Sequence, residues 1–331
     1  MDEINDKMNK SIAPIILFVY NRPEHTRKTV EALQKNELAS ESILYVFADG
    51  AKPESTEEQL ARIKEVRDYT GSITGFKEIH VEYSEKNKGL ANSVIAGVTK
   101  IINEYGRVIV VEDDIVTHPF FLRYMNDALD FYEKNESVFS VGSLMYNINI
   151  PQDYNHDMIL ISRVESWGWA TWGDRWKKCN WDISTYPIIQ NPTPEDIKMM
   201  CVGGEDLWEM LKKQAKREID SWAVRWQYNM MLQKGLCVRP RKSFASNVGF
   251  DGSGIHCEKT ERSQIITPLY DNPIYQIHFE QDLREDNRIL KSLQKAQAVH
   301  YEEHQLQGLY ESFRHYIHIA RLRLWKIIGL D

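Results

Sequence analysis

The stretch that decides the fold is RVIVVEDDI, residues 107–115. It begins with apolar residues at positions 108–111 and changes abruptly to three carboxylates, Glu112, Asp113 and Asp114. An apolar run without polar alternation is typical of a strand buried on both faces of an α/β sheet. Three adjacent carboxylates repel one another, so they are stable only beside a cation. The pattern therefore predicts a central strand that ends in a divalent-metal site.

The acidic triplet lies where open α/β sheets bind ligands, outside the carboxyl ends of the strands. Mg²⁺ and Mn²⁺ prefer oxygen ligands and usually share one or two carboxylates with substrate phosphates. The triplet is thus a candidate metal-diphosphate platform. An acidic helix N-terminus is the alternative, because Thr117, His118 and Pro119 can start a helix over residues 120–132.

Composition and charge limit the class of protein. The chain has 331 residues, 42% hydrophobic and 27% charged, as is ordinary for a soluble globular protein. A net charge of −7 argues against a nucleic-acid partner bound by bulk electrostatics. Residues 1–14 are too polar for a signal peptide, and no apolar run is long enough to span a bilayer. A cytoplasmic location is therefore the default expectation.

Cysteines and tryptophans are used in different ways along the chain. The four cysteines form no CxxC pair, which argues against a zinc site or a disulfide framework and predicts free thiols at Cys179, Cys201, Cys237 and Cys257. Five of the nine tryptophans fall within residues 167–181. Aromatic faces stack on sugars but also fill large cores, and core packing is the role we expect for most of them.

Strands and helices alternate through the first third of the chain. Strands are predicted at residues 14–20, 42–48 and 80–83, and helices at 23–33, 57–69 and 90–103. Polar turns follow the strands, namely Asn21-Arg22, Asp49-Gly50 and Asn87-Lys88-Gly89. This alternation predicts a mostly parallel sheet covered by helices. Arg22 would face a phosphate or a base there, or remain an ordinary exposed turn arginine.

The remainder of the chain is less regular. Strands are predicted at residues 137–145, 158–164 and 236–239, helices at 206–216 and 221–231, and a mobile loop at 243–257. Asp220 is placed to be the N-cap of the second of these helices. Residues 285–331 are helical by pattern. Their last part is apolar at intervals of three and four, with basic residues between. This pattern favours contact with an anionic membrane surface or packing on the preceding domain or on a second subunit.

The order of these signals resembles the nucleotide-sugar half of GT-A fold glycosyltransferases. The N-acetylglucosaminyltransferase I family, inverting enzymes that use UDP-GlcNAc, is the closer resemblance, since its EDD triplet is also followed by a proline and paired aromatics. Further similar segments, from Pro14 to Cys257, are Gly168-Trp169, Asp220-Ser221-Trp222, Cys237-Val238-Arg239-Pro240 and Gly254-Ile255-His256. Residues 88–92 depart from that family's basic and aromatic pattern.

The resemblance implies a Rossmann-like GT-A fold, α/β with a mixed, mostly parallel sheet flanked by helices. A lead-in (residues 1–12) would precede a glycosyltransferase domain (13–284, divided at 116/117) and a C-terminal helical extension (285–331). The implied reaction moves a sugar from a UDP-sugar to a hydroxyl of a glycan or lipid-linked acceptor, with Mn²⁺ or Mg²⁺, in bacterial-type polysaccharide or glycoconjugate synthesis.

The resemblance also assigns roles to individual residues. Asp114 would bind the metal, Asp113 the ribose and Glu112 the transferred sugar, and Asp220 would be the catalytic base. Asp49 and Arg22 would hold the uracil end, and the remaining expected contacts to the nucleotide-sugar are Asn21, Lys88 and His256. His256 would meet the metal or the diphosphate, or be an ordinary surface histidine.

Three alternatives remain open from the sequence. Asp174 and Glu165, beside the tryptophans, are the other candidate bases. A sugar nucleotidyltransferase would share the doubly wound sheet, although no glycine-rich, arginine-containing loop follows the first strand. A catalytically inactive carbohydrate-binding protein would explain the tryptophans but gives the acidic triplet no purpose.

Overall fold

The computed structural model describes residues 12–250 and 269–297. The strands, in chain order, are β1 (Ile15–Val19), β2 (Ile43–Ala48), β3 (Glu78–Tyr83), β4 (Arg107–Glu112), β5 (Ile115–Thr117), β6 (Val138–Gly142), β7 (Met158–Ile161), β8 (Trp169–Trp172), β9 (Leu236–Pro240) and β10 (Ala245–Asn247).

The α-helices are α1 (Pro23–Gln34), α2 (Glu57–Thr70), α3 (Leu90–Tyr105), α4 (Phe121–Tyr132), α5 (Gly173–Trp176), α6 (Pro187–Gln190), α7 (Pro194–Met200), α8 (Asp206–Ala215) and α9 (Trp222–Leu232). Short 3₁₀ helices occur at Ala39–Glu41, Ile183–Thr185 and Cys201–Gly203. Residues 287–297 are helical and are called α10.

Eight strands form one mixed sheet in the order β3-β2-β1-β4-β8-β6-β9-β7. Strands β3, β2, β1 and β4 are mutually parallel. Strands β8 and β7 run antiparallel to their neighbours, whereas β6 and β9 are parallel to each other. The predicted mixed, mostly parallel α/β sheet is confirmed, although the sequence analysis did not predict strand β8.

The centre of the sheet is the stretch that carries the acidic triplet. Residues 107–111 of β4 are buried, as its unbroken apolar run predicts. The register places Phe18 of β1 opposite Glu112. The carboxyl ends of β1, β2 and β4 therefore meet at one edge of the sheet, and the turns that follow them are brought together there.

The two faces of the sheet carry different cores. On one face, α4 contributes apolar side chains such as Leu122, Met125 and Leu129. On the other face, α3 and α9 pack over a group of buried tryptophans, Trp169, Trp176, Trp222 and Trp226. Their rings stack or tilt against each other, and Trp169 lies 4.7 Å from Trp222 between ring centroids. Core packing is thus confirmed for these tryptophans.

Two predictions about segments next to the triplet are wrong. Thr117 lies in β5, so a strand separates the triplet from α4 and the helix-start interpretation fails. The first part of the expected mobile loop, residues 243–250, is packed: Ala245–Asn247 pairs antiparallel with β5, and Phe244 is fully buried. The glycine and polar residues of this segment allow it to pack closely beside carboxylates. A mobile loop has the same composition, so composition alone does not distinguish the two.

The start of α9 also differs from the prediction. Its N-cap is Ser221, whose hydroxyl accepts a hydrogen bond from the Val224 amide at 3.3 Å. Asp220 is therefore not the cap of this helix. An N-cap serine or aspartate satisfies the first amides equally well, so two adjacent candidates cannot be ranked from sequence.

The C-terminal segment begins as a packed helix. Ile289, Leu290 and Leu293 of α10 are buried against Met145 and the β7 side of the sheet. None of the helices in the described residues is long and apolar enough to cross a bilayer. The amphipathic stretch after residue 297, His256 and Cys257 lie outside the described residues. Within those residues, the three other cysteines are free thiols.

Candidate active site

An arginine that follows β1 forms ion pairs with two members of the acidic triplet at the end of β4. Arg22 donates from Nη1 to Asp114 Oδ2 at 3.1 Å and from Nη2 to Asp113 Oδ1. The side chains of Arg22, Asp113 and Asp114 are 15%, 6% and 8% exposed, so water screens these charges only weakly. Arg22 was expected at the uracil end of a donor, and the structure places it on the carboxylates.

Burial sets the protonation behaviour of this cluster. Burial alone lowers the pKa of Arg22, but the Asp113 and Asp114 charges outweigh it and hold that pKa above its ordinary value. Burial raises the pKa of the Asp113 carboxyl, and the Arg22 charge acts in the opposite direction. The arginine is therefore a permanent cation here, and the carboxylates depend on it for charge compensation.

Glu112, the first member of the triplet, faces the tryptophan core. Its Oε1 accepts a hydrogen bond from Trp222 Nε1 at 3.4 Å. Burial, followed by the charges of Asp114 and Asp113, raises the pKa of Glu112 to about 8. At neutral pH its carboxyl group is consequently protonated in most molecules and can donate a hydrogen bond.

Asp220 lies at the N-terminus of a helix other than the one it precedes. Its Oδ2 accepts a hydrogen bond from the Ala91 amide at 3.2 Å, in the first turn of α3. A Cβ on Gly89 would lie 2.6 Å from the same oxygen, and Gly89 has φ +79°. The positive end of the α3 dipole therefore holds the Asp220 carboxylate on the side of the site next to Trp222.

Asp49 organises the turn that precedes α3. Its carboxylate accepts hydrogen bonds from the Lys88 amide at 2.9 Å and the Gly89 amide at 3.2 Å. A Cβ on Gly50 would lie 2.8 Å from Lys86 Cα, so this close approach of two backbones requires glycine. Asp49 and Asp220 thus hold the same turn from two sides, and the exposed Lys88 side chain projects from it.

Residues 247–250, which we call the strap, cover the triplet. The Val248 amide donates to the Asp114 carbonyl at 2.9 Å, and the Gly249 amide donates to Asn247 Oδ1 at 2.7 Å. A Cβ on Gly249 would collide with Asp114 Oδ2 and lie 3.1 Å from Arg22 Nη1. Only glycine leaves room at this position for the ion pair beneath it.

A sequence comparison decides the family. The model of Glycosyl transferase family 2 matches residues 15–188, more than half of the chain. The match includes β1, the end of β2 with Asp49, and β4 with the complete triplet. The chain belongs to glycosyl transferase family 2. It is accordingly a glycosyltransferase, an enzyme that uses a nucleotide-sugar donor and a glycan acceptor.

Two solved structures show a distant likeness to this family 2 glycosyltransferase. TarS from S. aureus is 13% identical, and the match covers 72% of this chain and 37% of TarS, with a TM-score of 0.35. A UDP-glucose pyrophosphorylase in complex with UDP-glucose is 8% identical, with 70% of this chain and 92% of that chain covered and a TM-score of 0.33. Such scores carry no argument about function. No curated protein matches the sequence.

The structure argues against both alternative bases of the glycosyltransferase. Asp174 follows β8 at the end where Trp172 pairs with Arg107, the first residue of β4, so it lies at the opposite edge of the sheet from the triplet. Glu165 is 3% exposed and is paired with Arg239 at 2.9 Å. A carboxylate enclosed in this way has no access to an acceptor hydroxyl.

The resemblance implies a divalent metal, and the donor atoms of the site fit one. Asp113 and Asp114 offer carboxylate oxygens and already hold a cation, and the Asn247 amide oxygen lies beside the same glycine as Asp114 Oδ2. Within residues 12–250 and 269–297, no three His, Cys, Asp or Glu side chains form a metal site. Mg²⁺ sites often combine one or two carboxylates with substrate phosphates, so a complete protein cage is not required.

Sequence reasoning identified most of this edge and expected a flexible stretch, residues 243–253, to close over a bound donor, but it did not predict the packed strap. The structure brings Arg22 together with Asp113 and Asp114, and Asp49 together with Lys88, while Asn21 is partly exposed beside Arg22. Asn247 and Gly249 were counted as part of a mobile loop. The signal that identifies them is the short β-branched segment 115–117, which needs a strand partner.

Proposed function

We propose that this enzyme is an inverting, metal-dependent glycosyltransferase that transfers a sugar from a UDP-sugar, UDP-GlcNAc or a similar donor, to a hydroxyl of a glycan or lipid-linked acceptor. The reaction would belong to bacterial-type polysaccharide or glycoconjugate synthesis. Peripheral contact with a membrane through the C-terminal segment is part of the proposal. The likeness to the N-acetylglucosaminyltransferase I family rests on the ordered motifs of the sequence.

One observation carries the proposal: a cationic arginine and the acidic triplet lie at the strand end where the sheet binds ligands, and Asp220 belongs to the segment that contacts Glu112. Asp114 and Asp113 bind Arg22, and Glu112 is connected through Trp222 to the segment that carries Asp220. A diphosphate leaving group and an attacking hydroxyl need these two kinds of group, a cationic site and a separate base.

In the proposed reaction, the acceptor hydroxyl oxygen attacks the anomeric carbon while the bond from that carbon to the UDP oxygen breaks. The hydroxyl proton moves to the Asp220 carboxylate, and UDP leaves with the bonding electron pair. Single displacement inverts the anomeric configuration. The Ala91 amide and the α3 dipole fix the orientation of Asp220, so the base needs no rearrangement before the reaction.

The other residues bind and orient the donor. Asp113 would contact the ribose and Glu112 the transferred sugar. Asp49 would hold the uracil end together with Arg22, whose guanidinium also binds Asp113 and Asp114. Asn21, Lys88 and His256 complete the proposed donor contacts. A bound Mg²⁺ or Mn²⁺ would be held by Asp114 and would neutralise charge on the leaving diphosphate. The strap above Asp114 restricts water at this position.

The deciding experiment measures UDP release from a panel of UDP-sugars, with Mn²⁺, with Mg²⁺ and with EDTA. Metal-dependent release from one or two donors is the expected result. In a parallel assay with UTP and sugar 1-phosphates, formation of a UDP-sugar with release of pyrophosphate would instead identify a nucleotidyltransferase. No turnover of any donor would favour an inactive carbohydrate-binding protein. With an α-linked donor, the product should show the anomeric proton coupling of a β-linkage by NMR; retention would contradict the inverting mechanism.

A further inference from the structure

One tryptophan of the aromatic segment differs from the others in its surroundings. Trp169 and Trp176 are buried and stack with an interplanar angle of 23°. Trp167 is only partly buried. Its ring contacts in the described residues are with Tyr146 and Phe250, at interplanar angles of 50° and 76°. Neither ring therefore lies flat on the indole of Trp167.

Trp167 is connected to the acidic site on two sides. A Cβ on the next residue, Gly168, would lie 3.6 Å from the side chain of Ile115, which directly follows Asp114. Phe250, in edge contact with Trp167, belongs to the strap that covers Asp114. The segment that carries Trp167 thus packs against residues next to Asp114.

The backbone of Trp167 is held more firmly than packing alone requires. Glu165 Oε1 accepts hydrogen bonds from the Ser166 amide at 3.0 Å and the Trp167 amide at 3.1 Å. Ser143 Oγ donates to the Trp167 carbonyl at 3.0 Å. Arg239, fully buried, fixes Glu165 in turn at 2.9 Å. The buried Arg239–Glu165 pair and these backbone hydrogen bonds together position the loop that carries Trp167.

We propose that Trp167, with Tyr146 and Phe250 at its edges, is the acceptor subsite, where a pyranose ring of the glycan stacks on the indole. This inference rests on the proposed function. A pyranose presents a flat array of C–H groups that packs on an aromatic face. A lipid chain would instead need a contiguous apolar surface.

The test compares Trp167→Ala and Trp167→Phe with Trp208→Ala as the matched control. Trp208 is another partly buried tryptophan, on α8, and it lies under Lys212 rather than beside the triplet. Saturation-transfer NMR with methyl glycosides of glucose, galactose and N-acetylglucosamine, in the presence of UDP and Mg²⁺, reports acceptor binding. Calorimetry reports the Kd of UDP.

We expect Trp167→Ala to weaken glycoside binding roughly tenfold, Trp167→Phe to weaken it less, and Trp208→Ala to leave it unchanged. The Kd of UDP should be the same in all folded variants. Unchanged glycoside binding in Trp167→Ala overturns the inference, as does weaker UDP binding, which would place the ring on the donor. If Trp167→Ala does not fold, wild-type binding by Trp167→Phe overturns it.

Two further outcomes separate this inference from the proposed function. A wild-type enzyme that binds UDP and turns over a UDP-sugar but binds none of the glycosides contradicts the acceptor subsite alone. A wild-type enzyme that binds neither UDP nor a UDP-sugar contradicts the proposed function.

Discussion

At the scale of single residues, Asp220 combines a structural contact with the proposed catalytic one, and one substitution separates them. Asp220→Asn keeps an oxygen that can accept from the Ala91 amide but cannot take up a proton at the pH of the reaction. We expect kcat to fall by about a hundred- to ten-thousand-fold, with the melting temperature and the Kd of UDP nearly unchanged. Steady-state kinetics, thermal unfolding and calorimetry provide the three values.

Ser221 supplies the matched control for Asp220, because it is the true N-cap of α9. Ser221→Ala should lower the free energy of unfolding by about 1 kcal/mol and leave kcat largely intact. Normal turnover by Asp220→Asn would show that another group removes the proton. A large loss of stability in Asp220→Asn would show that its contact with α3 requires the negative charge.

The raised pKa of Glu112 predicts that the stability of the fold depends on pH. Its pKa in the folded protein is about 8, above the ordinary value of 4.5. Between these two pKa values, the folded protein holds a proton on Glu112 that the unfolded chain has lost. The contribution of Glu112 to the free energy of unfolding therefore decreases as pH rises from 4.5 to about 8. The decrease is at most about 1.4 kcal/mol per pH unit.

Glu112→Gln removes this titration, so the variant should gain stability relative to wild type as pH is raised from 5 to about 8. Denaturant unfolding at several pH values in EDTA measures the difference without metal. A difference in stability that is constant across this range would contradict the raised pKa.

Arg22 is the charge on which the triplet depends. Arg22→Gln leaves Asp113 and Asp114 buried without their cation, which should lower the free energy of unfolding by about 3–5 kcal/mol. The control is Arg62→Gln, which breaks the exposed pair with Glu58 and should lower the free energy of unfolding by at most about 1 kcal/mol.

Mg²⁺ should raise the melting temperature of Arg22→Gln more than that of wild type. An equal effect of Mg²⁺ on both proteins would argue that it does not bind these carboxylates.

At the scale of secondary-structure elements, the β5–β10 ribbon places the strap over the site. A Cβ on Gly249 would collide with the Asp114 carboxylate, so Gly249→Ala should displace the carboxylate or the strap. We expect UDP binding in the presence of Mg²⁺ to weaken by at least tenfold while most of the fold remains. Calorimetry measures the affinity, and circular dichroism monitors the fold.

Gly71→Ala is the matched control for the strap. Gly71 follows α2 with an ordinary φ of −68°, and a Cβ there would lie 3.5 Å from the Tyr83 hydroxyl oxygen, its nearest neighbour. This variant should bind UDP as wild type does. Wild-type affinity in Gly249→Ala would mean that Asp114 tolerates displacement and is not a tightly positioned ligand.

At the scale of the whole molecule, sequence patterns predict elements well where burial on both faces leaves a continuous apolar run, as in β1, β2 and β4. They also predict the residues that follow these strands, because parallel strands bring their carboxyl ends to one edge. They do not predict β8, since its Trp169–Trp172 sequence also suits a sugar-binding loop. Sequence patterns also do not predict which side chains pair, such as Arg22 with the triplet or Asp220 with α3. Each of these pairs joins residues about 90 or more positions apart.

The C-terminal segment gives the last prediction, because its first part is packed and its remainder is the proposed membrane contact. A chain ending at residue 286 loses Ile289, Leu290 and Leu293, which are 1%, 7% and 0% exposed. Burial of each such side chain contributes about 1.5–3 kcal/mol, a sum comparable with the total stability of many domains, about 5–15 kcal/mol. This chain should unfold or aggregate.

A chain ending at residue 297 retains these three contacts and should keep the melting temperature of the full protein and its transfer to a soluble acceptor. It should lose binding to vesicles that contain phosphatidylserine, since the basic residues after position 297, including Arg314, Arg321 and Arg323, would supply the attraction to anionic lipid. Phosphatidylcholine vesicles are the neutral control. The charge-reversal variant Arg321→Glu/Arg323→Glu of the full chain should show the same loss without truncation. Unchanged vesicle binding by both proteins would assign the amphipathic stretch to a protein contact, because an apolar stripe buried against protein does not require the basic residues beside it.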